Sequence, residues 1–182
     1  MATTVQPFTG IYELDANHST FGFAVTHMNV STFRASFADI DARLTVDGDT
    51  IELEGRALAE SVSIAEPPEF REHVVRGMEF FDADTHPLIT FRSTRVELGE
   101  DGSASVAGEL TIRGVSRSVA ARGTYRRPTE DPFGTFRAGL ELRATVDRRQ
   151  WDMNWQVPLP DGGDALGWEV EITAQLELTR KG

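Results

Sequence analysis

The 182-residue chain reads as a single all-β domain built on an antiparallel meander. Three observations predict this. Apolar residues recur at every second position over much of the chain, and residues i, i+2 and i+4 of a strand share one face. Short clusters of Gly, Asp and Pro separate these runs, as hairpins require and crossover helices do not. Only one stretch carries strong helical signals. The length itself corresponds to one domain, taking about 150 residues per domain.

The elements follow in order. Phe21, Phe23, Val25 and His27 alternate with Thr20, Gly22, Ala24 and Thr26. Ile40, Ala42, Leu44 and Val46 alternate with Asp39, Asp41 and Arg43, and Ile51 and Leu53 with Glu52 and Glu54. Asp47-Gly48-Asp49 between these two runs predicts a hairpin turn. The parity then changes between Ala57 and Ser63, which predicts a bulge there. Pro67, Pro68 and Glu69 open a helix from Glu66 to Val75, with Phe70 and Val74 on one face and Gly77 as its stop. A second helical turn is expected at Met78 to Asp82. Ala104, Val106, Gly108, Leu110 and Ile112 form the next strand face after a turn at Gly99 to Gly102. Val115, Val119 and Ala121 continue the pattern, then a loop from Pro128 to Gly134. Phe136, Ala138, Leu140, Leu142, Ala144 and Val146 follow, then a loop from Pro158 to Gly163. The last run is the cleanest, with Trp168, Val170, Ile172, Ala174, Leu176 and Leu178 facing one way. About eight such strands must close into a barrel or stack as a sandwich, and an eight-stranded barrel either fills with side chains or holds one small ligand.

Composition excludes several functions. The formal charge, 18 − 29 = −11, opposes nucleic acid and anionic membrane surfaces. The absence of cysteine excludes disulfides, thiolate metal sites and a cysteine nucleophile. No apolar run approaches the ~18 residues of a spanning helix. Met1 to Gly10 has no basic or apolar signal segment, so the expected location is cytoplasmic.

Catalytic motifs are missing. Gly114-Val115-Ser116-Arg117-Ser118 lacks the final glycine of a nucleophile elbow. His18, His27, His73 and His86 show no metal-ligand spacing. The expectation is no catalytic residue, no metal and no cofactor. His27 ends an apolar face, which suits either a hydrogen-bonded structural residue or a polar group gripping a ligand head. Arg113, Arg117, Arg122, Arg126 and Arg127 form an acid-free stretch, expected to be a solvated face paired with acidic neighbours.

Five segments, in order, resemble the YceI-like family of polyisoprenoid-binding, lipocalin-like proteins. They are Tyr12-Glu13-Leu14-Asp15-Ala16-Asn17-His18-Ser19, the Phe21 to Met28 strand, Phe80-Phe81-Asp82-Ala83-Asp84, His86 to Thr94, and Gly108 to Arg117. The resemblance spans nearly the whole chain. It implies an eight-stranded antiparallel lipocalin-like β-barrel with a short helical segment near one end. It also implies an apolar pore that binds, stores or transports one long isoprenoid, a polyprenyl or quinone-like lipid. Family members are often periplasmic or secreted, cytoplasmic ones exist, and relatives often form homodimers. Lipid exchange implies transient membrane contact. The stretch Arg71-Glu72-His73-Val74-Val75-Arg76-Gly77-Met78-Glu79 departs from the family pattern, where an Arg-Asp dipeptide is usual.

On that resemblance, the expected lining is Phe21, Phe23, Val25, Ile89, Phe91, Leu110, Ile112 and Trp151. Phe33, Phe37, Phe81 and Met153 are expected to close the ends, with His27 at the mouth. Met153 suits an adaptable wall. Two other readings stay open. An enzyme of isoprenoid or quinone metabolism needs buried polar groups such as His27, Asp152 and Glu171 brought together. A stress-related structural barrel needs a filled core.

Overall fold

Ten strand segments make one continuous sheet: β1 (Gly10–Leu14), β2 (Thr20–His27), β3 (Ser31–Ser36), β4 (Ile40–Asp47), β5 (Thr50–Leu58), β6 (Leu88–Leu98), β7 (Ser103–Ile112), β8 (Val115–Glu130), β9 (Phe136–Asp147) and β10 (Leu166–Arg180). The single α-helix among the described residues, α1 (Pro68–Arg76), lies between β5 and β6. The structure is a computed structural model and describes residues 9–182.

Every pairing is antiparallel, and β1 pairs with both β4 and β10. That closes the ring and removes the exposed sheet edge. The segments amount to eight staves. Along one edge of β10, Leu178 faces Leu14 of β1 and Gln175 faces Thr20 of β2, so β1 and β2 are one stave with a break. Residues 15–19 make the break. The Asp15 carboxylate accepts from the Asn17 amide at 3.1 Å, and the Ser19 hydroxyl donates to the Asp15 carbonyl at 2.7 Å. β3 and β4 form the second broken stave in the same way. The protein is therefore a closed eight-stranded antiparallel barrel with one helix, as expected.

The interior divides into two packed regions. At one end, Tyr12, Leu44, Leu98, Leu140 and Leu178 form a plug, each at most 2% exposed. At the other, Phe37, Val62, Phe81, Ile89, Leu110 and Trp151 pack together with Val74 and Val75 of α1. Trp151 anchors this end, its Nε1–H donating to the Leu110 carbonyl at 3.0 Å.

Helix α1 forms where the proline and acid signals place it. Gly77 ends it, its amide donating to the His73 carbonyl at 3.0 Å. Val74 and Val75 are buried while Phe70 stays exposed. Arg71 ties the helix to the preceding chain, donating to the carbonyls of Val62 and Ile64 at 3.0 Å and of Glu60 at 2.6 Å.

Several local expectations are corrected. The parity change after Ala57 comes from a 3-10 turn, Ala59–Ser61, not a bulge. Met78 to Asp82 folds as hydrogen-bonded turns rather than a helix. β8 runs through Pro128 to Glu130, so the predicted loop shrinks to residues 131–135. The register shift between Arg126 and Thr129 is what admits the proline into a strand. The arginines also differ from expectation. Arg113 donates to the main-chain carbonyls of Met78, Trp151 and Asp152, and Arg117 to that of Gln150. None of the five takes a carboxylate within 4.0 Å among the described residues. Arg122, Arg126 and Arg127 are exposed on β8, the solvated part of the expectation.

Candidate functional site

Below α1 the barrel holds a cavity of about 670 Å³. Its inner wall is apolar because the odd-numbered residues of β2 and the even-numbered residues of β7, β9 and β10 turn inward. Its outer rim includes the exposed residues His27, Met28, Ser31, Thr32, Glu66 and Phe70, so the cavity meets the surface beside the β2–β3 turn and α1.

The structure brings together residues far apart in sequence. Phe21, Phe23, Val25 and His27 of β2 line the cavity. Phe33 of β3, Phe37 after it and Phe81 after α1 join them. Ile89 of β6, Leu110 and Ile112 of β7, and Trp151 and Met153 between β9 and β10 complete the candidates on this wall. Phe91 lies elsewhere. It lines a second chamber of about 120 Å³, deeper in the barrel, that shares Phe21, Ile89, Leu110 and Ile172 with the first.

The wall is largely aromatic. Phe23 lies 5.9 Å from Phe37, 6.3 Å from Phe33 and 6.3 Å from Phe81 between ring centroids. Phe70 of α1 meets Phe33 edge-on at 6.0 Å. On the opposite side His73 packs against Phe80 at 5.1 Å and Trp155 at 6.0 Å. Edge-to-face and offset contacts of this kind hold rings in place while leaving apolar faces free.

Sequence reasoning missed part of the lining. Val146, Val170 and Ile172 belong to clean alternating runs, so parity alone marked them as inward-facing. Phe70, His73, Phe80, Trp155 and Leu166 come from α1 and the loops, where no period applies. Arg148 had no signal at all. It is 4% exposed and lines the cavity wall. Its Nε donates to the Gly167 carbonyl at 2.8 Å and its Nη2 to that of Leu166 at 3.1 Å, with Nη1 on Met153. Its guanidinium also lies 4.2 Å from the Trp168 ring centre. Burial pulls its pKa below the ordinary arginine value, with Asp147 opposing. The three carbonyls and the ring absorb the charge, so it faces the cavity as a satisfied structural cation.

A polar cluster lies on the outer face of β9 and β10. Arg137 donates from Nη1 to Asp15 at 2.9 Å and Glu177 at 2.7 Å, and from Nε to Asp131 at 2.7 Å. His18 contacts Asp15 at 2.9 Å. His18 and then Arg137 hold the Asp15 carboxyl below its usual range, and Asp15 raises the His18 imidazole. Asp15, His18 and Glu177 have the spacing of a metal site, with ligand atoms within 4.8 Å of one another. Arg137 already supplies the positive charge between two of them. The arrangement reads as a structural ion network that staples the break in the first stave.

The enzyme constellation does not assemble. His27 and Asp152 are exposed, and Glu171 lies between inward-facing Val170 and Ile172 on the outer face of β10.

These features define a class: a closed β-barrel with an apolar chamber open at one end. The family model for the YceI-like domain matches residues 12–178, and the chain belongs to that family. It is 26% identical to a UPF0312 protein of Staphylococcus aureus strain USA300 over 170 residues, 92% of this chain and 96% of the relative. A UPF0312 protein of Ectopseudomonas mendocina is also 26% identical, over 81% of this chain and 79% of its own length. Solved structures share the fold. Burkholderia cenocepacia BcnA superposes with a TM-score of 0.71 at 21% identity, covering 90% of this chain and 98% of its own. A polyisoprenoid-binding domain from Saccharophagus degradans gives 0.66 at 14% identity, covering 93% and 98%. No helix among the described residues is long and apolar enough to cross a membrane.

Proposed function

We propose that this protein is a lipid-binding module that holds one long-chain isoprenoid or quinone-like lipid in its barrel and stores or carries it. The observation that carries this reading is the 670 Å³ cavity with its aromatic and aliphatic wall. A cavity of that size lies within the ~300–1,000 Å³ range of ligand pockets. Family membership and the polyisoprenoid-binding neighbour support the class of guest. An isoprenoid tail burying on the order of 400 Å² gains about 10 kcal/mol gross at ~25 cal/mol per Å², from which association and ordering costs are subtracted.

The rim fits a head group and a route of entry. His27, Ser31, Thr32, Glu66 and His73 offer polar groups there. Exposed Met28 and Phe70 stand beside them, next to Val30, which is 84% exposed. We assign this apolar rim to transient contact with a lipid surface during exchange.

The test compares wild type with Phe23→Arg. Both are purified from a prenyl-lipid-rich host, and the solvent-extracted lipid is measured by mass spectrometry. Wild type is expected to yield an isoprenoid, and the variant at least tenfold less because the guanidinium enters the apolar space beside Phe37 and Phe81. Equal lipid in both removes this wall from the binding site.

A further inference from the structure

The barrel is not a through-pore, and that limits the length of any chain inside it. Phe21, Ile89, Leu110 and Ile172 border both the main cavity and the smaller chamber. Beneath lies the plug of Tyr12, Leu98, Leu140 and Leu178.

The volumes give a length. A ~150 Å³ apolar cavity takes one benzene, or about 25 Å³ per carbon. At that figure the main cavity of about 670 Å³ takes about 27 carbons, or five isoprene units. The deeper chamber of about 120 Å³ takes about five more carbons, or one unit. A guest of about six units therefore fills the barrel, and further units have no interior space.

One residue stands at the lower boundary. Among the described residues, Phe91 is the only aromatic side chain packed against both interior clusters. One glycine makes room for it: a Cβ added at Gly108 of β7 would fall 2.5 Å from the Phe91 ring. The ring thus rests on bare backbone, and a side chain at position 108 would displace it. Its neighbours around the chamber include Ala121, Ala144 and Ala174, which are small. The chamber exists because these positions are alanine, and it ends where Phe91 and the plug begin.

We infer that Phe91 is the specificity-determining residue for chain length, forming with the plug a floor that stops the guest at about six isoprene units. The inference rests on the lipid-binding reading above and adds to it a length limit.

The test is a binding series on delipidated protein, using all-trans prenols from farnesol upward in one-unit steps to displace a fluorescent fatty acid. Wild-type affinity is expected to rise about tenfold or more per unit and to stop rising at about six units. Phe91→Ala removes a ring of six carbons, which is room for about one unit at ~25 Å³ per carbon, and is expected to move the break one unit longer. Ala174→Leu fills the deep chamber and is expected to move it one unit shorter. Thermal melts establish that each variant is folded, and Ala174→Leu decides the matter if Phe91→Ala is not. A break that stays put in the folded variants, or wild-type affinity that rises without a break, overturns the length limit and leaves the lipid-binding reading standing. Wild type that binds no prenol of any length overturns both.

Discussion

Trp151 is the residue where stability and the cavity meet most directly. It is 0% exposed, it lines the cavity, and its indole N–H donates to the Leu110 carbonyl at 3.0 Å. Two substitutions separate its contributions. Trp151→Phe keeps most of the ring but removes the donor, and an orphaned buried acceptor costs about 1–3 kcal/mol. Trp151→Ala also removes the wall, and large-to-small changes of this kind cost about 3–5 kcal/mol. For a chain of this size each kcal/mol moves Tm by about 2–4 °C. The Ala variant is therefore expected to melt about 6–20 °C lower, and the Phe variant by less. Chemical denaturation gives the free energies and calorimetry the midpoints, both on delipidated protein. Adding a long prenol is expected to recover part of the Trp151→Ala loss, since a ligand at 100 times its Kd adds about 2.7 kcal/mol. A cost under about 1 kcal/mol for Trp151→Ala would mean that the ring supports neither Leu110 nor the wall.

Two further outcomes follow from the ion networks. Arg148→Met leaves three carbonyls without their donor and is expected to cost about 3–5 kcal/mol, read from the denaturant midpoint; an unchanged midpoint contradicts the structural role of the buried cation. Arg137→Met is expected to lower Tm at neutral pH, with the gap to wild type closing in acid. The sign follows from Asp15 and Asp131, whose carboxyls His18 and Arg137 hold below the usual range. Their contribution is complete above about pH 4 and is lost as pH falls through the lowered values. A gap that is constant from neutral pH into strong acid rules out this linkage.

The strands that were legible are those that alternate cleanly. β10 shows its inward face from Val170 to Leu178 in the amino-acid order, because a barrel stave has one wet and one dry side. β3 and β6 were not legible from periodicity. The short β3 holds one large apolar residue, Phe33, among Ser, Thr, Arg and Ala, with Phe37 just beyond it. In β6 the register shift between Ser93 and Arg95 moves the inward face from odd to even positions. The barrel rather than a sandwich came from family resemblance, since closure depends on the β1–β10 pairing, which links the two ends of the chain. The same limit applies to the site. Phe23 and Leu110 were named from their strand faces and resemblance. Trp155, Phe80 and Arg148 lie on irregular segments, where orientation is set by contacts with the rest of the barrel.

Native mass spectrometry of the intact wild-type protein, purified gently from a prenyl-lipid-rich host, reads directly whether the barrel carries a lipid. One added mass per chain is expected, released on activation and identified as an isoprenoid of about six units or fewer within the interior space of about 25 Å³ per carbon. A bare polypeptide mass in repeated preparations, with no uptake of added prenol, would contradict it.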